Sequence, residues 1–107
     1  MSLTAYDFDG VLTAGFPLNE TPLIITGRSF RRFEETLQDL KDLGIDDAQL
    51  YMCPVPLEQE GIHASAAWKS QLINSMSLER FYEDDVRIAT LLQRACPCCR
   101  IVLFRVM

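Results

Sequence analysis

The stretch Leu3-Thr4-Ala5-Tyr6-Asp7-Phe8-Asp9-Gly10 decides the fold of this chain. It is short, mostly apolar and closed by Asp9-Gly10, which predicts a buried strand over residues 3–8. The period of two along an extended backbone puts the Asp7 and Asp9 carboxylates on one side. Gly10 then lets the chain turn. Open α/β sheets carry their chemistry in the crevice beyond the carboxyl ends of the strands, and this strand delivers two acids there.

Working outward, Leu23-Ile24-Ile25 predicts a second strand running into Thr26-Gly27-Arg28. Residues 13–21, with Gly15, Pro17 and Asn19, read as a loop or small hairpin between the two strands. Phe30, Phe33, Leu37, Leu40 and Leu43 recur at three- and four-residue steps, one face of a helix with Ser29 as its N-cap and Gly44 as its stop. Gln49 to Cys53 is a third strand closed by Pro54, followed by a loop to about His63. Trp68, Leu72, Ile73 and Met76 line a second helix, with Ser65 as its cap and Lys69 in about its first turn. Arg80-Phe81-Tyr82 is a fourth strand ending in Glu83-Asp84-Asp85. Val86, Ala89, Leu92 and Ala95 line a third helix, and residues 101–106 form a fifth strand. Strands alternating with helices predict one α/β domain with a mostly parallel sheet.

The 107 residues allow one domain, 1–107, with a single core. Apolar residues at 49% and charged residues at 23% are globular values and exclude disorder. Ten basic against fifteen acidic residues give a net charge of −5, which disfavours a nucleic-acid coat protein or a membrane-surface binder. The apolar runs are too short to span a bilayer, and no signal peptide is visible. Cys53, Cys96, Cys98 and Cys99 raise a zinc reading, with His63 as a further ligand. However, this architecture puts Cys53 and the cluster at opposite ends of the sheet. Reduced thiols in the cytoplasm are the expectation.

Three strand ends thus gather polar groups at one edge. Asp7 and Asp9 follow the first strand, Thr26-Gly27-Arg28 follows the second and forms an anion seat at a helix N-terminus, and Glu83-Asp84-Asp85 follows the fourth. Lys69 joins them from the preceding helix. Clustered carboxylates suit Mg²⁺. Asp7-Phe8-Asp9-Gly10-Val11, Ile24-Ile25-Thr26-Gly27, Lys69 and Asp84-Asp85 resemble, in order, the four motifs of the haloacid dehalogenase-like phosphohydrolases. The match runs from the first strand to the fourth, and the fifth completes the core sheet.

The resemblance implies a Rossmann-like three-layer domain with five strands in the order 3-2-1-4-5. It implies Asp7 as nucleophile forming an aspartyl-phosphate, and Asp9 as acid to the leaving group and then base to water. Thr26 and Lys69 would hold the phosphoryl oxygens, with Gly27 and Arg28 beside them as substrate-binding residues. Asp84 and Asp85 would anchor Mg²⁺ together with Asp7 and the backbone carbonyl of Asp9. Asp9 itself points to phosphate chemistry, since dehalogenating members lack it.

The chain departs from the common pattern in its short link between Asp7 and Thr26, and in reading Tyr82-Glu83-Asp84-Asp85 where Gly-Asp is commoner. Either of Asp84 and Asp85 fits the metal position. No insertion is long enough for a cap domain, which suggests a large phosphorylated substrate, a polynucleotide end or a phosphoprotein, or oligomerisation as a substitute lid. Arg28, Arg31 and Arg32 on the adjoining helix are candidate contacts for its further anionic groups. Two rival readings are a receiver-like signalling domain that accepts a phosphoryl group and a catalytically silent phosphate- or metal-binding relative. Receiver domains carry their phospho-accepting aspartate at the end of strand three, where this chain has Cys53-Pro54.

Overall fold

The computed structural model describes residues 3–16 and 21–105. Five strands, β1 (Thr4–Tyr6), β2 (Leu23–Ser29), β3 (Gln49–Cys53), β4 (Arg80–Glu83) and β5 (Arg100–Leu103), form one sheet in the order β3-β2-β1-β4-β5. Every neighbouring pair is parallel, so the sheet is all-parallel where the sequence predicts mostly parallel. The helices are α1 (Phe33–Asp42), α2 (Ile62–Ser75) and α3 (Val86–Ala95). The strand order is the one the resemblance implies, and no described helix is long and apolar enough to cross a membrane.

Strand alternation builds two cores. Ala5, Ile25 and Phe81 face α2 and α3, where they meet Ala66, Ile73 and Leu92. Ile24, with Tyr6 and Tyr82 alongside, faces the other way, towards Leu40 of α1 and towards Phe8, Val11 and Leu12. Over β1 and β4 this second face carries rings: Tyr6 stacks on Tyr82 at 5.3 Å between centroids, and Phe16 packs on both Tyr82 and Phe104. Both faces of the central strand β1 are thus covered, and Ala5 there is fully buried.

Several elements differ from their sequence reading. β2 runs four residues past Ile25, so Thr26-Gly27-Arg28 is strand and not a helix N-terminus. Its register with β3 passes from Thr26↔Met52 to Ser29↔Cys53, which leaves Gly27 and Arg28 bulged out without partners in β3. Ser29 does cap the next turn, its hydroxyl accepting from the Arg31 N–H at 3.2 Å. That turn is a 3₁₀ segment, Phe30–Arg32, ahead of α1. The buried residues of α1 are Thr36 and Leu40, while Phe30, Leu37 and Leu43 from the expected apolar face are exposed. Gly44 ends the helix with φ +78°, as a C-terminal glycine should.

The cap of α2 is Gly61 and not Ser65, and His63 lies in its first turn, exposed. Lys69 therefore sits in mid-helix and not near its start. β5 ends at Leu103, with residue 106 of the expected strand outside the described residues, as are residues 17–20 of the expected loop.

Candidate functional site

At the carboxyl edge of the sheet β1 ends in Asp7, and the chain enters a wide turn, Phe8–Leu12. The turn closes with an N–H of Thr13 donating to the Phe8 carbonyl at 3.2 Å and leaves helical angles at Asp9 and Gly10. Phe8, Val11 and Leu12 are buried and anchor it. Asp7 is thereby drawn into the protein and Asp9 out to the surface, so the two carboxylates part company. Asp7 is 6% exposed, and its Oδ1 accepts from the Phe8 N–H at 2.9 Å.

Lys69 reaches this point from α2 at 1% exposure. Its ammonium lies 2.8 Å from Glu83 Oε1 and 3.3 Å from Asp7 Oδ1. Glu83, the last residue of β4, is fully buried, and its second oxygen accepts the N–H groups of Asp84 at 3.1 Å and Asp85 at 3.2 Å. Asp84 then projects towards Gly10, where a Cβ would meet Asp84 Oδ2 at 1.9 Å. One oxygen from each of Asp7, Glu83 and Asp84 lies within 4.8 Å of the others, a group that can hold a metal ion. No buried side-chain nitrogen or oxygen among the described residues lacks a hydrogen bond.

Two carboxylates pair with one lysine here and a third, Asp84, stands beside them, and the electrostatics follow from that imbalance. Burial pushes the Asp7 carboxyl well above its ordinary value, Lys69 pulls it only part of the way back, and Glu83 pushes it further up. Glu83 feels the same burial, but the Lys69 charge and the hydrogen bonds it accepts win, holding it below the usual carboxylate range. Of the two, Glu83 is thus pushed towards the anion and Asp7 towards the neutral acid, because Glu83 has the nearer ammonium and two backbone donors against one. Burial opposes charge on Lys69, and the two carboxylates outweigh it and raise its pKa. Burial and the neighbouring Glu83 raise Asp84.

The remaining candidates are placed as follows. Thr26 is buried on β2 and its hydroxyl accepts the Arg28 N–H at 3.1 Å. Gly27 lies on the exposed side of the bulge. Asp85 stands apart from the acidic group: it caps α3, accepting from the Arg87 N–H at 2.8 Å and pairing with the Arg87 guanidinium. Arg28 is not on a helix, and its guanidinium faces inward to Asp9, Thr36 and Asp39. Arg31 pairs with Glu58, and Arg32 with Glu35, so each cation expected to reach for substrate has an acid on it.

The sequence reading places Glu83 in the acidic run after the fourth strand but gives it no role of its own. A glutamate directly after the aromatic pair Phe81-Tyr82 of a short strand is the available signal. The four cysteines are free thiols and join no metal-binding group among the described residues. A scan against protein-family models finds no match, and searches of curated proteins and of solved structures find none.

Proposed function

We propose that this protein hydrolyses phosphomonoesters through an aspartyl-phosphate on Asp7, as a capless relative of the haloacid dehalogenase-like phosphohydrolases. The observation that carries the reading is the convergence of Asp7, Lys69, Glu83 and Asp84, from three separate segments, at the carboxyl edge of an all-parallel 3-2-1-4-5 sheet. In the first step Asp7 Oδ attacks phosphorus, the bond from phosphorus to the leaving oxygen breaks, and the Asp9 carboxyl, which must first leave the Arg28 guanidinium that holds it below its usual range, passes its proton to that oxygen. In the second, Asp9 takes a proton from water, the water oxygen attacks phosphorus, and the Asp7–phosphorus bond breaks to return free carboxylate and phosphate. Lys69 offsets phosphoryl charge, and Glu83 holds Lys69 in place and charged.

The donor set fits Mg²⁺: three hard carboxylates in reach of one another, with more negative charge than Lys69 can balance. Asp7 and Asp84 would hold it, joined by the main-chain carbonyl of Asp9, with Glu83 occupied by Lys69 and two amides. When bound, the ion supplies the positive charge that keeps Asp7 deprotonated and lets two anions meet. The four free thiols suit a reducing cytoplasm.

The test is phosphate release from a panel of phosphorylated metabolites, nucleotides and 3′- or 5′-phosphorylated oligonucleotides, with Mg²⁺ and with excess chelator. Release that needs Mg²⁺ and vanishes in a folded Asp7→Asn variant is expected, an amide being a poor nucleophile. Full activity in chelator removes the metal from the proposal. A long-lived phosphoprotein without turnover would make the chain a phospho-acceptor.

A further inference from the structure

α1 carries more apolar side chains than its own chain covers. Only Thr36 and Leu40 are buried on it, while Phe30 just ahead of it is 56% exposed and Leu37 is 38% exposed. Phe30 stacks on Phe33 at 5.1 Å between centroids, because side chains three apart eclipse in a 3₁₀ turn. Leu37 follows four residues on, so the three form one stripe along the helix. The stacked ring is held before any partner arrives, and rigid aromatic anchors of this kind dominate interfaces. Between α1 and the edge strand β3 lies a recess of about 360 Å³, with Leu40, Ile45, Ala48 and Leu50 among its lining residues. Glu34 and Lys41 stand on its α1 wall, seven residues apart on the same face. Neither has an ion-pair partner among the described residues.

We propose that this face binds a second copy of the chain, with the two α1 helices packed antiparallel about a two-fold axis. Charge selects both the direction and the occupant. A parallel pair would set Glu34 on Glu34 and Lys41 on Lys41, whereas an antiparallel pair sets each Glu34 against the Lys41 of the other copy. The face is thus complementary to itself, which favours a second copy over another protein. Facing Glu34 with Lys41 puts the axis between Leu37 and Gln38, where Leu37 meets its counterpart. Phe30 then comes opposite Ile45, at the recess, so that each copy offers a knob to the hollow of the other, as an isologous interface requires. Asp46 and Asp47, on the same rim, come to the end where the other copy carries Arg31, whose side chain is 67% exposed beside Glu58. Antiparallel helix dipoles favour the same direction. The proposal is independent of the phosphohydrolase reading, since none of these residues belongs to the acidic group at Asp7.

Sedimentation velocity of the full chain is the test, in a reducing buffer that keeps the exposed Cys98 from cross-linking copies. From about 1 to about 100 μM, the range of a micromolar interface, the mass should rise from 12.2 kDa towards twice that value. Phe30→Ser should raise the dimer Kd tenfold or more. Glu34→Lys and Lys41→Glu should each do the same, because every substitution acts twice across the axis. Glu34→Lys also brings the net charge of −5 two units closer to zero, which by itself would favour association. A weaker dimer in that variant therefore reports the specific pair. The chain carrying both charge reversals should recover to within about threefold of the original Kd. All three side chains are exposed, so unchanged circular dichroism is expected, and should Phe30→Ser misfold the charge reversals carry the test alone. A monomer at every concentration overturns the proposal. So does a dimer that a folded Phe30→Ser leaves intact, or a double reversal that associates no better than the single ones.

Discussion

Gly10 meets two demands that no other residue type meets together. Its φ is +79°, where any side chain is strained, and a Cβ would sit 1.9 Å from Asp84 Oδ2 and 2.3 Å from its Cγ. The strain alone costs about 1 kcal/mol on replacement by alanine. The clash is with the carboxylate proposed to hold Mg²⁺, which must swing away because nothing at that separation can be accommodated by small shifts. Gly10→Ala is therefore expected to lower stability by about 1–3 kcal/mol in urea unfolding. It is also expected to weaken Mg²⁺ binding in calorimetry by tenfold or more, out of proportion to the stability lost. Unchanged Mg²⁺ affinity in a folded Gly10→Ala variant would take Asp84 out of the metal site.

Elements explain why neighbouring acids have unlike surroundings. β4 ends with Glu83 buried under Lys69, the turn exposes part of Asp84, and α3 begins on Asp85, which accepts from the N–H groups of both Arg87 and Ile88. Asp85→Ala should thus cost about 1 kcal/mol of stability, the value of a helix cap, and leave Mg²⁺-dependent turnover within about twofold. Asp84→Ala should do the reverse, losing the Mg²⁺ response with little change in the urea midpoint. An Asp85→Ala variant that loses its Mg²⁺ response while still folded would reassign the ligand. The same segments show what could be read beforehand. Leu23-Ile24-Ile25 and Arg80-Phe81-Tyr82 announced strands because short apolar runs between turn residues have few other uses, and alternation with helical periods then set the layers. Lys69 stands a turn further into its helix than the sequence predicts, because the true cap, Gly61, has no side chain to signal it. The inward turn of Arg28 depends on a bulge, a matter of pairing between β2 and β3 that neither strand records alone. In the sequence Glu83 is one acid of three, because burial of a charge becomes legible only once its partner, fourteen residues away on α2, is in place.

At the scale of the whole molecule the question is what can reach this edge. Among the described residues the loops near it are short: a turn after Leu12, and residues 54–61 with one 3₁₀ turn, Val55–Leu57, too little for a lid with its own core. Asp7, Thr26 and Lys69 are buried, while Asp9 and part of Asp84 face solvent, so a phosphate must approach past those two acids. The cations once expected to draw it in, Arg28, Arg31 and Arg32, are each held by a carboxylate. Beside Asp84 and Gly10, however, lies a recess of about 360 Å³ lined also by Ala14, Phe104 and Arg105, and Arg105 has no acidic partner among the described residues. A ring and a free cation next to the reacting edge suit a base and a second phosphate group better than a lone sugar phosphate. A terminal phosphate on a nucleic-acid chain is accordingly expected to be hydrolysed with a higher kcat/KM than the matching mononucleotide. The comparison is an oligonucleotide 3′-phosphate against a nucleoside 3′-phosphate at fixed salt. The fixed salt matters because a protein of net charge −5 repels the longer polyanion more strongly as salt falls. A preference of tenfold or more for the mononucleotide, about 1.4 kcal/mol in transition-state binding, would mean that the substrate is enclosed, as by a second copy of the chain, and that the edge is not open.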